Sequence, residues 1–282
     1  MTTDSSTNGL LVQLEPESVR AGRTAPIVVI GRQRSGTTVF RELLVGAGAF
    51  DAGEIFHREF ANNSRRFFWK VRCLAAENPT AIHPTEYPRI FRLFLDEVHT
   101  LAAGKRPAID IKYNALRIVD AGMSEGVPSA IRICAEHGAR FVHLRRQNLL
   151  RVQVSLAVAQ VTGRWRETRD GGPMPISDRR ISLEPNSTLA RVASDEALAN
   201  SVSGWLDGLP HDTLTYETLF APNGEFSTAT LDVVRALTKS DRVASSPALR
   251  QQNPEQLEDL VANFADLSRV FAGTRYEWML HR

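Results

Sequence analysis

Between Pro26 and Leu44 the sequence reads PIVVIGRQRSGTTVFRELL, an order of residue types suited to holding a phosphate-like anion. The apolar, β-branched run from Pro26 to Ile30 predicts a buried strand. Gly31, Arg32, Gln33, Arg34, Ser35, Gly36, Thr37 and Thr38 follow as a glycine-bounded loop, after which Val39, Leu43 and Leu44 recur at helical spacing. Such a layout aims backbone N–H groups into the loop, where the helix dipole favours negative charge. A second group of cations lies in HLRRQNLLR, His143 to Arg151. A strand ahead of it would deliver Arg145 and Arg146 to its carboxyl end, where open α/β sheets bind ligands. A guanidinium fork matches phosphate oxygens in two parallel hydrogen bonds, each worth about 1.5–3 kcal/mol.

Gly31 and Gly36 have the spacing of the nucleotide-triphosphate loop G-x-x-x-x-G-K-[ST], but Thr37 stands at the lysine position. The usual cation on the β/γ-phosphates is therefore missing. Instead Arg34 precedes Ser-Gly-Thr-Thr. This RSGTT segment resembles the 5′-phosphosulfate loop, roughly [RK]-S-G-T-T, of the sulfotransferases that use 3′-phosphoadenosine 5′-phosphosulfate as donor. The resemblance implies a P-loop-like fold in which Arg34, Ser35, Gly36, Thr37 and Thr38 bind the donor, with Arg34 on the oxygen bridging phosphate and sulfate. It also implies a 3′-phosphate site formed by an Arg at a strand end and a Ser on the following helix, here Arg146 and Ser155. The gap between them is one residue longer than in the commonest pattern, which leaves Arg145 and Gln147 open for the Arg position. DIKYN, Asp110 to Asn114, is similar to the family strand G-[FVI]-K-[LIM]-x-[YWF] and implies that Lys112 lies near the sulfuryl group. TYETL, Thr215 to Leu219, resembles the family's Y-E-x-L segment. The tail from Leu260 to Leu280 is similar to the closing segments of bacterial carbohydrate sulfotransferases of the nodulation and trehalose type. The resemblance thus extends from Pro26 to the end of the chain.

Sulfuryl transfer of this kind needs a base within hydrogen-bond reach of the acceptor hydroxyl. Glu54 in DAGEIF matches the glutamate of the family's G-E-x-[FL] segment, and His57 is the competitor, because small-molecule sulfotransferases use a His. Arg34, Lys112 and the amides from Ser35 to Thr38 would stabilise the leaving 3′-phosphoadenosine 5′-phosphate. No metal is required by this scheme. Trp165 and the loop after it could close over adenine or acceptor. The expected acceptor is a hydroxyl of a carbohydrate, glycolipid or small molecule. Two other readings stay open: a nucleotide phosphotransferase with Asp110 as its Mg²⁺ residue, and a non-catalytic domain that binds 3′-phosphoadenosine 5′-phosphate.

The elements that must position these residues follow from pattern. Helices are predicted at Arg58–Ala76, Tyr87–Ala103, Val127–Glu136, Asn148–Val161, Ser187–Leu209, Phe226–Thr238 and Pro254–Phe271, with further strands at Pro107–Asn114, Arg140–Arg145 and Thr213–Tyr216. Helices alternating with strands imply a doubly wound parallel sheet flanked by helices, in one domain over residues 24–282 after a flexible segment of residues 1–23. The Arg164–Pro185 stretch reads as a long loop, of the kind used as a lid or binding loop. The Tyr87–Ala103 and Ser187–Leu209 helices could supply a homodimer face.

With 34 Lys and Arg against 32 Asp and Glu in 282 residues, the near-neutral balance gives no case for nucleic acid as partner. Cys73 and Cys134 read as buried free thiols, and no Cys/His grouping has metal-ligand spacing. The polar start MTTDSSTNG lacks the apolar core of a signal peptide, and no apolar run is long enough to span a bilayer, so the expected location is cytoplasmic.

Overall fold

The computed structural model describes residues 24–57, 63–120, 126–165, 174–249 and 253–281. A single α/β domain is built on five parallel strands: β1 (Ile27–Gly31), β2 (Phe50–Glu54), β3 (Pro107–Lys112), β4 (Arg140–Arg145) and β5 (His211–Thr215). Their order across the sheet is β2-β3-β1-β4-β5. The helices are α1 (Thr37–Gly46), α2 (Phe67–Glu77), α3 (Tyr87–Ala102), α4 (Ser129–Glu136), α5 (Leu149–Thr162), α6 (Pro185–Leu206), α7 (Thr228–Thr238), α8 (Leu257–Leu260) and α9 (Phe264–Phe271).

Strand order explains the layering. From β1 the chain crosses over β3 to the sheet edge, and every later connection travels back the other way. Parallel crossovers share one hand, so a reversal of direction changes the face on which the connecting helix packs. Accordingly Ile27, Val29, Ala108, Val142 and Leu144 pack with α1 and α7. The alternate residues Val28, Ile30, Ile109, Ile111 and Phe141 pack with α2, α3, α4 and α6 on the opposite face. A third cluster joins α5, α8, α9 and the chain end near Met279.

Four of the five strands and most helices fall where the pattern places them, β2 is a strand that the pattern did not announce, and three expectations are corrected. The Arg58–Ala76 helix begins only at Phe67, after a turn at 63–66; residues 58–62 lie outside the described residues. The Pro254–Phe271 helix is split into α8 and α9, because Val261 turns extended and bridges in parallel to Ile181. Its apolar spacing is helical throughout, but burying Val261 and Leu260 in the third cluster outweighs continuity of the helix. Cys73 is exposed on α2, whereas Cys134 is buried as expected. Residues 1–23 and 166–173, which carry the expected flexible segment and much of the expected lid, lie outside the described residues. No helix among the described residues is long and apolar enough to cross a membrane.

Candidate functional site

At the carboxyl end of β1 the chain turns through Arg34 at φ 69° and Gly36 at φ 89° before α1 begins. Both glycines are required by space. A Cβ on Gly31 would stand 2.7 Å from the Leu144 carbonyl oxygen and 2.6 Å from Thr37 Cγ2, and one on Gly36 would stand 2.9 Å from the Tyr216 ring. Ser35 is buried, with its N–H and hydroxyl both donating to the Arg32 carbonyl, at 3.2 and 2.6 Å. The Ser35 amide is thus engaged within the turn in this structure. Gly36 caps α1 with no side-chain acceptor, so the first amides of the helix are served by neither a cap nor the preceding turn of helix.

Two guanidinia meet over this loop. Arg34 Nε donates to Ser155 Oγ at 2.9 Å and its Nη1 donates to the Trp165 carbonyl at 2.8 Å. Arg146 Nη1 donates to the Arg34 carbonyl at 2.8 Å, and its guanidinium lies 4.3 Å over the Tyr216 ring. Desolvation by burial, joined by the neighbouring Arg146 charge, lowers the Arg34 pKa; burial likewise lowers that of Arg146, opposed by Tyr216 and Glu217. Arg146 Nε is buried with no hydrogen-bond partner among the described residues. An orphaned donor on one of two desolvated cations is a group that an anion could satisfy.

The structure separates the three residues left open at the strand end. Arg145 turns away to Asn200 Oδ1 on α6, at 3.0 Å. Gln147 is exposed and presents its backbone N–H to Glu217. Arg146 alone of the three reaches the loop, alongside Ser155. Glu217 was missed as a contributor: its carboxylate accepts from the N–H groups of Gln147 and Asn148 at 3.1 Å, fixing the start of α5 just after Arg146. Its neighbour Tyr216 supplies the stacking face. Arg32 pairs with Asp195 of α6 at 2.8 Å and braces the loop from the other side.

Lys112 and Glu54 reach the loop through strand register. Gly31 is paired with Lys112 on one side and Leu144 on the other. The Lys112 ammonium donates to the Thr37 hydroxyl and to Asp110 Oδ2, the latter at 2.7 Å. Glu54 lies on β2 opposite Asp110, after a register shift between Asp51 and Gly53. Simple alternation from Asp51 would aim Glu54 at the face away from α1. The extra residue of this bulge, with Gly53 at φ 76°, puts it on the α1 face, with Oε2 3.8 Å from Lys112 Nζ. Arg66 Nη1 secures the bulge by donating to the Glu54 carbonyl at 2.6 Å. His57 lies beyond the strand, exposed, its N–H on the Glu54 carbonyl at 3.1 Å. Trp165 is exposed and meets the site through its backbone carbonyl.

One buried titratable pair stands beside the site. His143 of β4 has Nε2 2.6 Å from the Tyr113 hydroxyl, and burial, aided by Arg145, lowers its pKa to about 4. The unfolded chain binds a proton near pH 6.5 and the folded one only near 4, so this group makes stability fall as pH drops through that window. The loss is expected to total about 3 kcal/mol by pH 4. Urea titrations between pH 7 and 4 on wild type and H143Q should show the slope flattened in the variant.

No family model and no curated protein matches this chain.

Proposed function

We propose that the chain is a sulfotransferase on a P-loop-like fold, moving a sulfuryl group from 3′-phosphoadenosine 5′-phosphosulfate to a hydroxyl of a carbohydrate, glycolipid or small molecule. The observation that carries this reading is the Arg34–Arg146 pair, with its buried orphan Nε, set over a glycine loop that lacks the P-loop lysine. The residues fit a donor with two phosphates. Arg146, stacked on Tyr216, and Ser155 would hold the 3′-phosphate, and the start of α1 would take the phosphosulfate. The donor supplies an activated sulfuryl group whose sulfur–oxygen bond breaks as the acceptor oxygen attacks.

The chain's own residues account for the rest. Glu54, brought to the α1 face by the bulge, accepts the acceptor hydroxyl proton. Lys112, fixed on Thr37, and Arg34 oppose the charge that develops on the leaving oxygen. The phosphotransferase reading asks Asp110 to hold Mg²⁺. That carboxylate is fully buried, with Oδ2 on Lys112 at 2.7 Å and 3.7 Å from Arg41, which speaks against the role.

Thermal unfolding with 3′-phosphoadenosine 5′-phosphate, adenosine 5′-phosphate, and ATP with Mg²⁺ tests the reading. A ligand at about a hundred times its dissociation constant stabilises by about 2.7 kcal/mol. The bisphosphate is expected to give the large shift, and R146M to weaken it about 100-fold while changing adenosine 5′-phosphate binding less than threefold. A shift confined to ATP with Mg²⁺ would replace this reading with the phosphotransferase one.

A further inference from the structure

Behind Lys112 a chain of charges, buried except at its Asp51 end, links β2, α1 and β3, and only its last member enters the scheme above. Asp51 of β2 pairs with Arg41 of α1 at 3.0 Å; Arg41 reaches Asp110 Oδ2 at 3.7 Å; the same oxygen takes the Lys112 ammonium at 2.7 Å. Asp110 is 0% exposed, Lys112 4% and Arg41 6%. Asp110 Oδ1 has no hydrogen-bond partner among the described residues. Asparagine would fill the same volume without the cost of burying a carboxylate, so the charge itself calls for an account.

Strand geometry provides one. Residues 110 and 112 of β3 share the α1 face, so the lysine folds back on the aspartate two positions before it. Two of its three N–H bonds are then committed, to Asp110 and to Thr37, and Glu54 is left 3.8 Å away, beyond hydrogen-bond reach. Were residue 110 uncharged, the strongest partner in range of the ammonium would be the half-exposed Glu54 carboxylate. Closing that gap would draw the cation off the loop and occupy the base.

We propose that Asp110, itself steadied by Arg41 and Asp51, is a positioning residue for sulfuryl transfer: it holds the Lys112 ammonium at the Thr37 end, facing the sulfuryl group, and keeps it off Glu54. The inference rests on the sulfotransferase reading and assigns a residue which that reading leaves idle.

Calorimetric titration with donor and product separates the two. In D110N the affinity for 3′-phosphoadenosine 5′-phosphosulfate is expected to fall about 10-fold. Affinity for 3′-phosphoadenosine 5′-phosphate should stay within about twofold, because the product lacks the group that Lys112 meets. K112M should lose the same discrimination, and D110N/K112M should lose no more than K112M, since one residue acts through the other. A merely structural Asp110 would weaken both nucleotides equally, or make the two losses multiply, and either result overturns the inference while wild-type binding upholds the functional reading. Wild type binding neither nucleotide overturns both. Should D110N fail to fold, comparing D110N/K112M with K112M decides: equal affinities support the inference, and a further loss of donor affinity rejects it.

Discussion

Glu54→Gln is expected to lower turnover by about 10²- to 10⁴-fold, the range supplied by a positioned general base, with nucleotide affinity unchanged. The separation follows from the architecture. Glu54 stands on β2, two strands from β1 across the sheet, whereas Arg34 and Arg146, the groups proposed to face phosphate, belong to the β1–α1 loop and the β4–α5 junction. Glutamine keeps the shape and the backbone of the bulge, whose carbonyl is held by Arg66, so the loss reports proton transfer rather than folding. Release of 3′-phosphoadenosine 5′-phosphate from donor across a panel of hydroxyl acceptors, set beside calorimetric affinity, measures both quantities. H57A is expected to remain within about threefold of wild type, because His57 is exposed beyond the strand and surface substitutions of that kind are usually small in effect. Full turnover in the glutamine variant would remove Glu54 from the mechanism, and loss in H57A would transfer the role.

The largest stability effect is expected from Gly31→Ala, about 3 kcal/mol or more. The added methyl would meet a backbone oxygen, Leu144 O at 2.7 Å, on a neighbouring strand that cannot retreat without breaking β1–β4 pairing. It would also press on Thr37 and Ser35, the residues that form the loop, at 2.6 and 2.8 Å. Nucleotide binding should therefore be lost together with stability. Gly204, exposed in α6 with nothing within 4 Å of its Cβ position, is the control: G204A is expected to stabilise by about 1 kcal/mol through helix propensity. Chemical denaturation of the two variants distinguishes a local space requirement from a general cost of replacing glycine. Equal effects would mean that the loop is looser than its distances state.

Local pattern carried a large part of this molecule. An apolar β-branched run placed β1, the alternation of PAIDIKYN between Pro107 and Asn114 placed β3, each within two residues, and RFVHLR placed β4. Caps did the same for α5, whose ends at Asn148 and Gly163 are written in residue type. The loop residues could be named from type and spacing, since turn, amide donors and helix start are consecutive in the chain, whereas Arg146 and Ser155 rested on the family resemblance, with Arg145 and Gln147 left open.

What the sequence left undecided is what depends on register and on contacts between distant segments. Whether Arg145, Arg146 or Gln147 meets the loop depends on which way the chain turns after β4, and Glu217, some 70 residues on, sets that turn. Segment 50–56 carries no clear alternation because β2 is bulged, yet that irregularity alone brings Glu54 to the face of Lys112. The Asp51–Arg41–Asp110–Lys112 chain is invisible in the linear order: its four charges come from two strands and a helix, and Arg41, Asp110 and Lys112 look like ordinary solvated residues until the fold buries them, while Asp51 stays part-exposed. Residue type and short spacing determined which cations and loop donors this protein carries. Tertiary structure decided which of them face one another, because strand pairing and burial set those distances.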